Sequence, residues 1–199
     1  MRARRDAMNI YIKSDKVLIR LFDILLSFAG LIIFSPLLIM LLVLVRAETN
    51  KPIFLQIRVG KNQREFRLVK FRTMKIDTVN LPTHLVSNAA ITKLGRFLRR
   101  TKLDELPQLW NVLRGDMSIV GPRPGLPSQR ELTAARESAG VFAARPGITG
   151  LAQIRGIDMS TPKLLAKTDA LMLRRLDIFA YLSLITKTAL GSGAGDRLR

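Results

Sequence analysis

The sequence contains no cysteine. Disulfide scaffolds, thiolate metal sites and cysteine nucleophiles are therefore excluded. It has one histidine, His84, in a polar stretch where exposure is expected. Multi-histidine metal centres are excluded too, as is a Ser-His-Asp triad built on any other imidazole. Aromatic residues make up 6%, with one Trp and two Tyr, which is little for a protein that stacks single-stranded bases. Acidic residues are also scarce. Fifteen Asp and Glu stand against 33 Lys and Arg, giving a net charge of +18. Such a surface seeks phosphate, whether on nucleic acid, an anionic membrane or a phosphorylated small molecule. No glycine-rich phosphate loop is present, which argues against an ATP-dependent lipid kinase. Disorder is not expected, because 48% of the 199 residues are hydrophobic and disorder needs high charge with low hydrophobicity. The length suffices for one domain with a buried core.

The apolar residues concentrate in Leu21 to Val45, LFDILLSFAGLIIFSPLLIMLLVLV, where Asp23 is the one charge. As a straight helix this run would extend roughly 37 Å, against a bilayer core of about 30 Å. It starts too late and is too long for a signal peptide, and no small-residue cleavage site follows it. Ser35-Pro36 interrupts it, and proline removes a helical N–H. Arg2, Arg4, Arg5, Lys13, Lys16 and Arg20 precede the run, and Arg46, Lys51, Arg58, Lys61 and further bases follow it. Both flanks therefore satisfy the rule that places basic residues in the cytoplasm. On these residues a single span and a re-entrant hairpin stand open equally.

Residues 1–20 read as a basic N-terminal arm. Alternation in IFLQIRVG and FRLVKF, separated by Gly60-Lys61-Asn62, predicts a β-hairpin between Lys51 and Arg72. Residues 75–91 read as loop. Helices are expected over Thr92 to Arg100 and over 104–113, the latter starting near Asp104 with Pro107 in its first turn. Residues 115–127 hold three prolines and three glycines and read as a rigid loop without regular structure. A helix is expected over Glu131 to Phe142. Leu164 to Leu190 reads as a helix or helix pair, either on a membrane surface or packed in the core. The tail GSGAGDRLR is expected to be flexible.

Asp104-Glu105 stands out because it is the sole adjacent acidic pair and is set among Arg96, Arg99, Arg100, Lys102 and Arg114. Acids at a helix N-terminus suit the helix dipole, and that reading stays open. The other reading is a carboxylate nucleophile beside a metal-binding carboxylate. Magnesium takes one or two protein carboxylates plus substrate phosphates. An aspartate can attack phosphorus and form an acyl phosphate. Arg123, between Pro122 and Pro124, is either a surface arginine or one held for bidentate phosphate binding. Lys70 and Arg72 share a strand face that either grips anions or is solvated.

KFRTM (Lys70 to Met74), LDELPQLWNVLRGDMSIVGPRP (Leu103 to Pro124) and PGITGLAQ (Pro146 to Gln153) occur in this order. Together they resemble the bacterial sugar transferases, the monotopic phosphoglycosyl transferases that act on polyprenol phosphate. The resemblance covers residues 18–190 and implies a fold, a reaction and a location. The fold is α+β and mostly helical. A re-entrant membrane helix-break-helix at Ser35-Pro36 comes first, then a small β-hairpin, with surface amphipathic helices around a cytosolic catalytic core. The reaction moves a sugar 1-phosphate from a UDP-sugar to polyprenyl (undecaprenyl) phosphate and releases UMP, as the first step of glycoconjugate synthesis. Asp104 is implied as the nucleophile, Glu105 with Asp104 as the Mg²⁺ ligands, and Lys70, Arg99 and Arg123, with Arg72 beside them, as phosphate contacts. The implied location is the cytoplasmic face of a bacterial inner membrane. Membrane lipids are expected partners, nucleic acid is not, and a homodimer stays open.

Three positions depart from the family pattern. Lys102 stands where Ser or Thr is usual, Ile157 replaces an Arg, and the C-terminal helix is poorer in Trp and Tyr. The expected division is an arm over 1–20, a membrane hairpin over 21–45, a catalytic domain over 46–190 and a tail over 191–199. Nothing at the N-terminus resembles the added transmembrane bundle of larger members, so a core-only version is expected. The alternative is a non-enzymatic basic peripheral membrane protein that binds anionic lipid or nucleic acid. It leaves Asp104-Glu105 without a role.

Overall fold

Pro36 makes the first corner of the molecule. The computed structural model describes residues 2–76 and 90–191, with side chains from Lys16 onward. Helix α1 (Arg2–Ile33) runs unbroken through residue 20 and gives way at Phe34 to α2 (Ser35–Thr49). The two axes bend by 63°. Pro36 cannot donate to the carbonyl of Ile32 four residues back. The hydroxyl of Ser35 donates to that carbonyl instead, at 2.8 Å. Among the described residues no single helix is long and apolar enough to cross a membrane, whereas this bent pair together has the length and apolar composition.

The two faces of α1 are inverted relative to a helix in water. Asp23 and Ser27 are buried, in line with Ile19. Leu21, Ile24, Leu25, Phe28, Ile32 and Ile33 are exposed. In α2, Leu41 and Val45 pack with Phe71 and Leu98, while Ile39, Met40, Val43 and Leu44 point outward.

Strands β1 (Ile53–Val59) and β2 (Glu65–Phe71) form the expected antiparallel hairpin, with Ile53 opposite Phe71 and Val59 opposite Glu65. Helix α3 (Lys93–Thr101) is capped by Thr92, whose hydroxyl accepts the Gly95 N–H. Then come α4 (Gln108–Arg114), β3 (Ser118–Val120), α5 (Arg130–Ser138), β4 (Gly147–Thr149) and α6 (Leu151–Ile154). Helices α7 (Pro162–Arg174) and α8 (Ile178–Ala189) complete the described chain as the expected pair. Ile19, Val120, Met172, Tyr181 and Leu184 form one core, and Leu68, Val112 and Met117 form another.

Three expectations are corrected. The stretch 115–127 contains strand β3, which pairs in parallel with β4 (Ser118 with Gly147, Val120 with Thr149). The helix expected over Glu131 to Phe142 stops at Ser138. Gly140 follows with a φ of 70°, and a separate 3-10 turn covers Val141–Ala143. No helix starts at Asp104. Leu103–Glu105 is its own 3-10 turn, and α4 begins after Pro107, which has no N–H to offer the Leu103 carbonyl. Leu106 takes that carbonyl in the tighter pattern. His84 with most of the expected 75–91 loop, and the tail beyond Gly191, lie outside the described residues.

Candidate active site

Lys102 closes α3 in a left-handed conformation (φ 59°), with its N–H directed back to the Arg99 and Leu98 carbonyls. That reversal delivers Leu103 to the Phe71–Leu98 cluster and turns Asp104 inward, where it is 6% exposed. Glu105 follows, half-buried, and its Oε1 accepts a hydrogen bond from Arg123 Nη2 at 2.9 Å.

Arg123 belongs to the loop after β3. That loop lies directly against the start of β4. A Cβ on Gly147 would sit 2.0 Å from the Gly121 nitrogen, so only glycine allows the approach.

Arg99 is 7% exposed at the last turn of α3. Its Nε donates to Thr73 Oγ1 at 2.8 Å, while its Nη1 is buried without a hydrogen-bond partner. The placement follows from close packing of α3 on the chain after β2. A Cβ on Gly95 would meet the Thr73 carbonyl oxygen at 2.2 Å, and the Thr92 N–H donates to the same oxygen.

Lys70 and Arg72 do share a face. Lys70 Nζ lies 5.4 Å and the Arg72 guanidinium carbon 5.2 Å from the centre of the Phe54 ring. Arg72 Nε also donates to the Lys51 carbonyl. Phe54 lies opposite Lys70 in the hairpin, two and four residues before Gln56 and Arg58 on the same strand face. From that face Arg58 Nη1 donates to the Pro124 carbonyl at 2.9 Å. The hairpin face that carries Lys70 thus abuts the loop that carries Arg123.

The basic residues that crowd the pair in sequence separate in space. Arg99 turns inward, Arg96 and Arg100 are exposed, and Arg114 approaches Asp116 at 3.5 Å. Ser35 and Pro36 stand at the helix break.

Sequence reasoning missed three buried charged residues around this site. Arg58 is one. The others are Arg136 on α5 and Asp169 on α7, whose Nη2–Oδ2 distance is 2.7 Å, with side chains 4% and 2% exposed. Burial pushes the Asp169 carboxyl up, and Arg136 opposes that rise. Each stands four residues after a core leucine, Leu132 or Leu165, and so on a buried helical stripe. That spacing is the signal that marks them.

Two adjacent carboxylates with cationic neighbours are a donor set that fits Mg²⁺ completed by substrate phosphates. Among the described residues no cluster of three His, Cys, Asp or Glu makes an all-protein metal cage.

The description "bacterial sugar transferase" belongs to the family model that matches residues 14–192. The chain is 37% identical over 169 residues to the UDP-galactose-lipid carrier transferase of Erwinia amylovora, covering 76% of this chain and 35% of that one. It is 40% identical over 143 residues to the UDP-glucose:undecaprenyl-phosphate glucose-1-phosphate transferase of Caulobacter vibrioides, covering 69% and 54%. It is 35% identical over 189 residues to the exopolysaccharide production protein ExoY of Rhizobium meliloti, covering 85% and 82%. The chain spans less than half the length of several curated relatives, the Erwinia transferase among them.

Proposed function

The chain belongs to the bacterial sugar transferase family, and from that premise we propose that it transfers a sugar 1-phosphate from a UDP-sugar to polyprenyl phosphate at a membrane surface. The observation that carries the reading is the buried Asp104 beside a Glu105 gripped by Arg123. In the first step an Asp104 carboxylate oxygen attacks the β-phosphorus of the UDP-sugar. The bond from that phosphorus to the bridging oxygen breaks, and UMP leaves with the electron pair. In the second step a phosphate oxygen of the polyprenyl phosphate attacks the same phosphorus. The acyl phosphate bond breaks, Asp104 is restored, and a polyprenyl diphosphate sugar is released. Neither step needs a proton from the protein.

The charge that builds on the transferring phosphoryl group is offset by fixed cations, usually the largest catalytic contribution in such transfers. Arg99 has a buried, unpartnered Nη1 for this task, and Lys70, Arg72 and Arg123 add positive charge on the adjoining faces. Asp104 and Glu105 are the residues that would hold Mg²⁺, which when bound neutralises diphosphate charge.

The bent pair α1–α2 supports a re-entrant seat in the cytoplasmic leaflet of a bacterial inner membrane. Asp23 and Ser27 face the protein, while Leu21, Ile24, Leu25, Phe28, Ile32, Ile33, Ile39, Met40, Val43 and Leu44 face outward, as a lipid-embedded helix requires. Large exposed apolar patches mark interaction surfaces, and this one is flanked by basic residues at both ends. Such a seat brings a lipid phosphate and a soluble nucleotide sugar to one carboxylate.

The test is UMP release from a panel of UDP-sugars with undecaprenyl phosphate and Mg²⁺. Release with at least one sugar is expected. Vesicle binding without release from any sugar supports the non-enzymatic membrane protein instead.

A further inference from the structure

Four consecutive carbonyls, from Pro122 to Gly125, each accept a hydrogen bond, and the donors come from three elements, β4, α5 and β1. Pro122 O accepts from Gly147 N at 2.9 Å, and Gly125 O accepts from Val59 N at 2.9 Å. Between them, Arg123 O accepts from Arg136 Nη1 at 2.8 Å and Pro124 O from Arg58 Nη1 at 2.9 Å. The two peptide planes that flank Arg123 are those bearing the Pro122 and Arg123 carbonyls. With both planes pinned, and with Pro122 and Pro124 restricting the neighbouring dihedrals, the direction of the Arg123 side chain is set. That side chain ends on Glu105.

Arg136 reaches this clamp from a buried ion pair. Its Nε and Nη2 both go to Asp169 Oδ2, at 3.0 and 2.7 Å, which leaves Nη1 for the Arg123 carbonyl. A buried ion pair adds little stability over a well-packed apolar pair, because desolvation offsets the attraction. Stability alone therefore gives no reason for two charges here. The third arm of the guanidinium does.

We propose that Arg136, held by Asp169, is a positioning residue that aims Arg123 at Glu105 and at the phosphates bound there. This rests on the transferase reading above. The Asp169–Arg136–Arg123–Glu105 chain links α7 and α5 to the carboxylate pair without either distal residue touching substrate.

The experiment uses the full chain in detergent or nanodiscs. Arg136→Met combined with Asp169→Leu replaces the pair by apolar groups, and Arg136→Lys keeps a cation for Asp169 but lacks the planar fork of separate nitrogens that reaches Asp169 and the Arg123 carbonyl at once. Thermal unfolding is measured beside kcat and KM for UMP release. The expected result is near-parental unfolding with kcat reduced about 30- to 100-fold, the scale of a small misplacement of a catalytic group. KM for polyprenyl phosphate should stay within about threefold. A merely structural pair would leave kcat unchanged once the protein folds, and parental kcat in the folded double variant overturns the proposal. If the double variant does not fold, Arg136→Lys decides on the same terms. A parent chain that releases no UMP overturns the transferase reading and this inference with it. A parent that turns over beside equally active variants overturns only the positioning role.

Discussion

Tyr181 on α8 donates its hydroxyl to Asp23 Oδ1 on α1 at 2.8 Å, joining residues 158 positions apart. The same oxygen accepts from Ser118 Oγ at 3.0 Å and from the Ile119 N–H at 2.8 Å. The one charge in the apolar run is therefore the bolt that ties the helix hairpin to β3 and α8. Burial, then the Asp23 carboxylate, push the Tyr181 hydroxyl well above its ordinary value. An acid whose folded pKa is raised keeps its proton in the folded state after the unfolded chain has lost it. Stability is then full below the unfolded tyrosine value of about 10 and falls as pH climbs above it. Tyr181→Phe should cost about 1–3 kcal/mol at neutral pH. It should also flatten the alkaline loss relative to the parent. Unfolding followed at a series of pH values from neutral upward checks both, and equal alkaline slopes in the two proteins would refute the linkage.

Asp104→Asn keeps the shape of the buried side chain and removes the charge of the proposed nucleophile. UMP release should fall at least about a thousandfold, as expected when a covalent nucleophile is lost. Parent enzyme quenched with radiolabelled UDP-sugar in the absence of lipid phosphate should carry the label on the peptide that contains Asp104. Near-parental turnover of the Asn variant would remove Asp104 from the nucleophile role.

Arg99 offers a case where stability and activity part. Its buried Nη1 lacks a partner, and an unsatisfied buried donor costs roughly 1–3 kcal/mol. Arg99→Met keeps most of the length and volume and removes that donor, although it also gives up the bond from Nε to Thr73. The variant should unfold no earlier than the parent and yet lose UMP release, with a raised KM for the UDP-sugar. A variant that is destabilised and fully active would mean that Arg99 serves packing alone.

How much of this was legible in the residues follows from the range of the interactions. The hairpin between Ile53 and Phe71 and the break at Ser35-Pro36 are local, and alternation or a single missing N–H is enough to find them. Strands β3 and β4 are three residues each, and they pair in parallel across an intervening helix. No window around Ser118 contains Gly147, and the prolines nearby read as loop. Asp104 and Arg123 were marked by type and setting. Arg136 and Asp169 are marked only by their spacing of four from Leu132 and Leu165, because Arg and Asp on helices are ordinarily surface residues. No helix starts at Asp104 because Pro107 has no N–H for the Leu103 carbonyl, which Leu106 takes in a 3-10 turn instead.

The helix break carries the prediction about topology. Pro36 leaves the Ile32 carbonyl without its usual donor, and the Ser35 hydroxyl fills in at 2.8 Å. In hydrocarbon an unsatisfied carbonyl costs several kcal/mol, so the bend is tolerable there only with that hydroxyl in place. The absence of native cysteine makes single tags unambiguous. Cysteines introduced within residues 1–15 and near Lys61 should both react with a membrane-impermeant reagent from the cytoplasmic side, and labelling from opposite sides would refute the re-entrant hairpin. Pro36→Ala with Ser35→Ala restores the N–H and removes the substitute. A straight helix through this run is long enough to span, so the N-terminal tag in that variant should move to the far side while the tag near Lys61 stays. If both tags remain cytoplasmic in the double variant, then the Asp23–Tyr181 tie and the basic flanks, and not the proline, hold the hairpin in its leaflet.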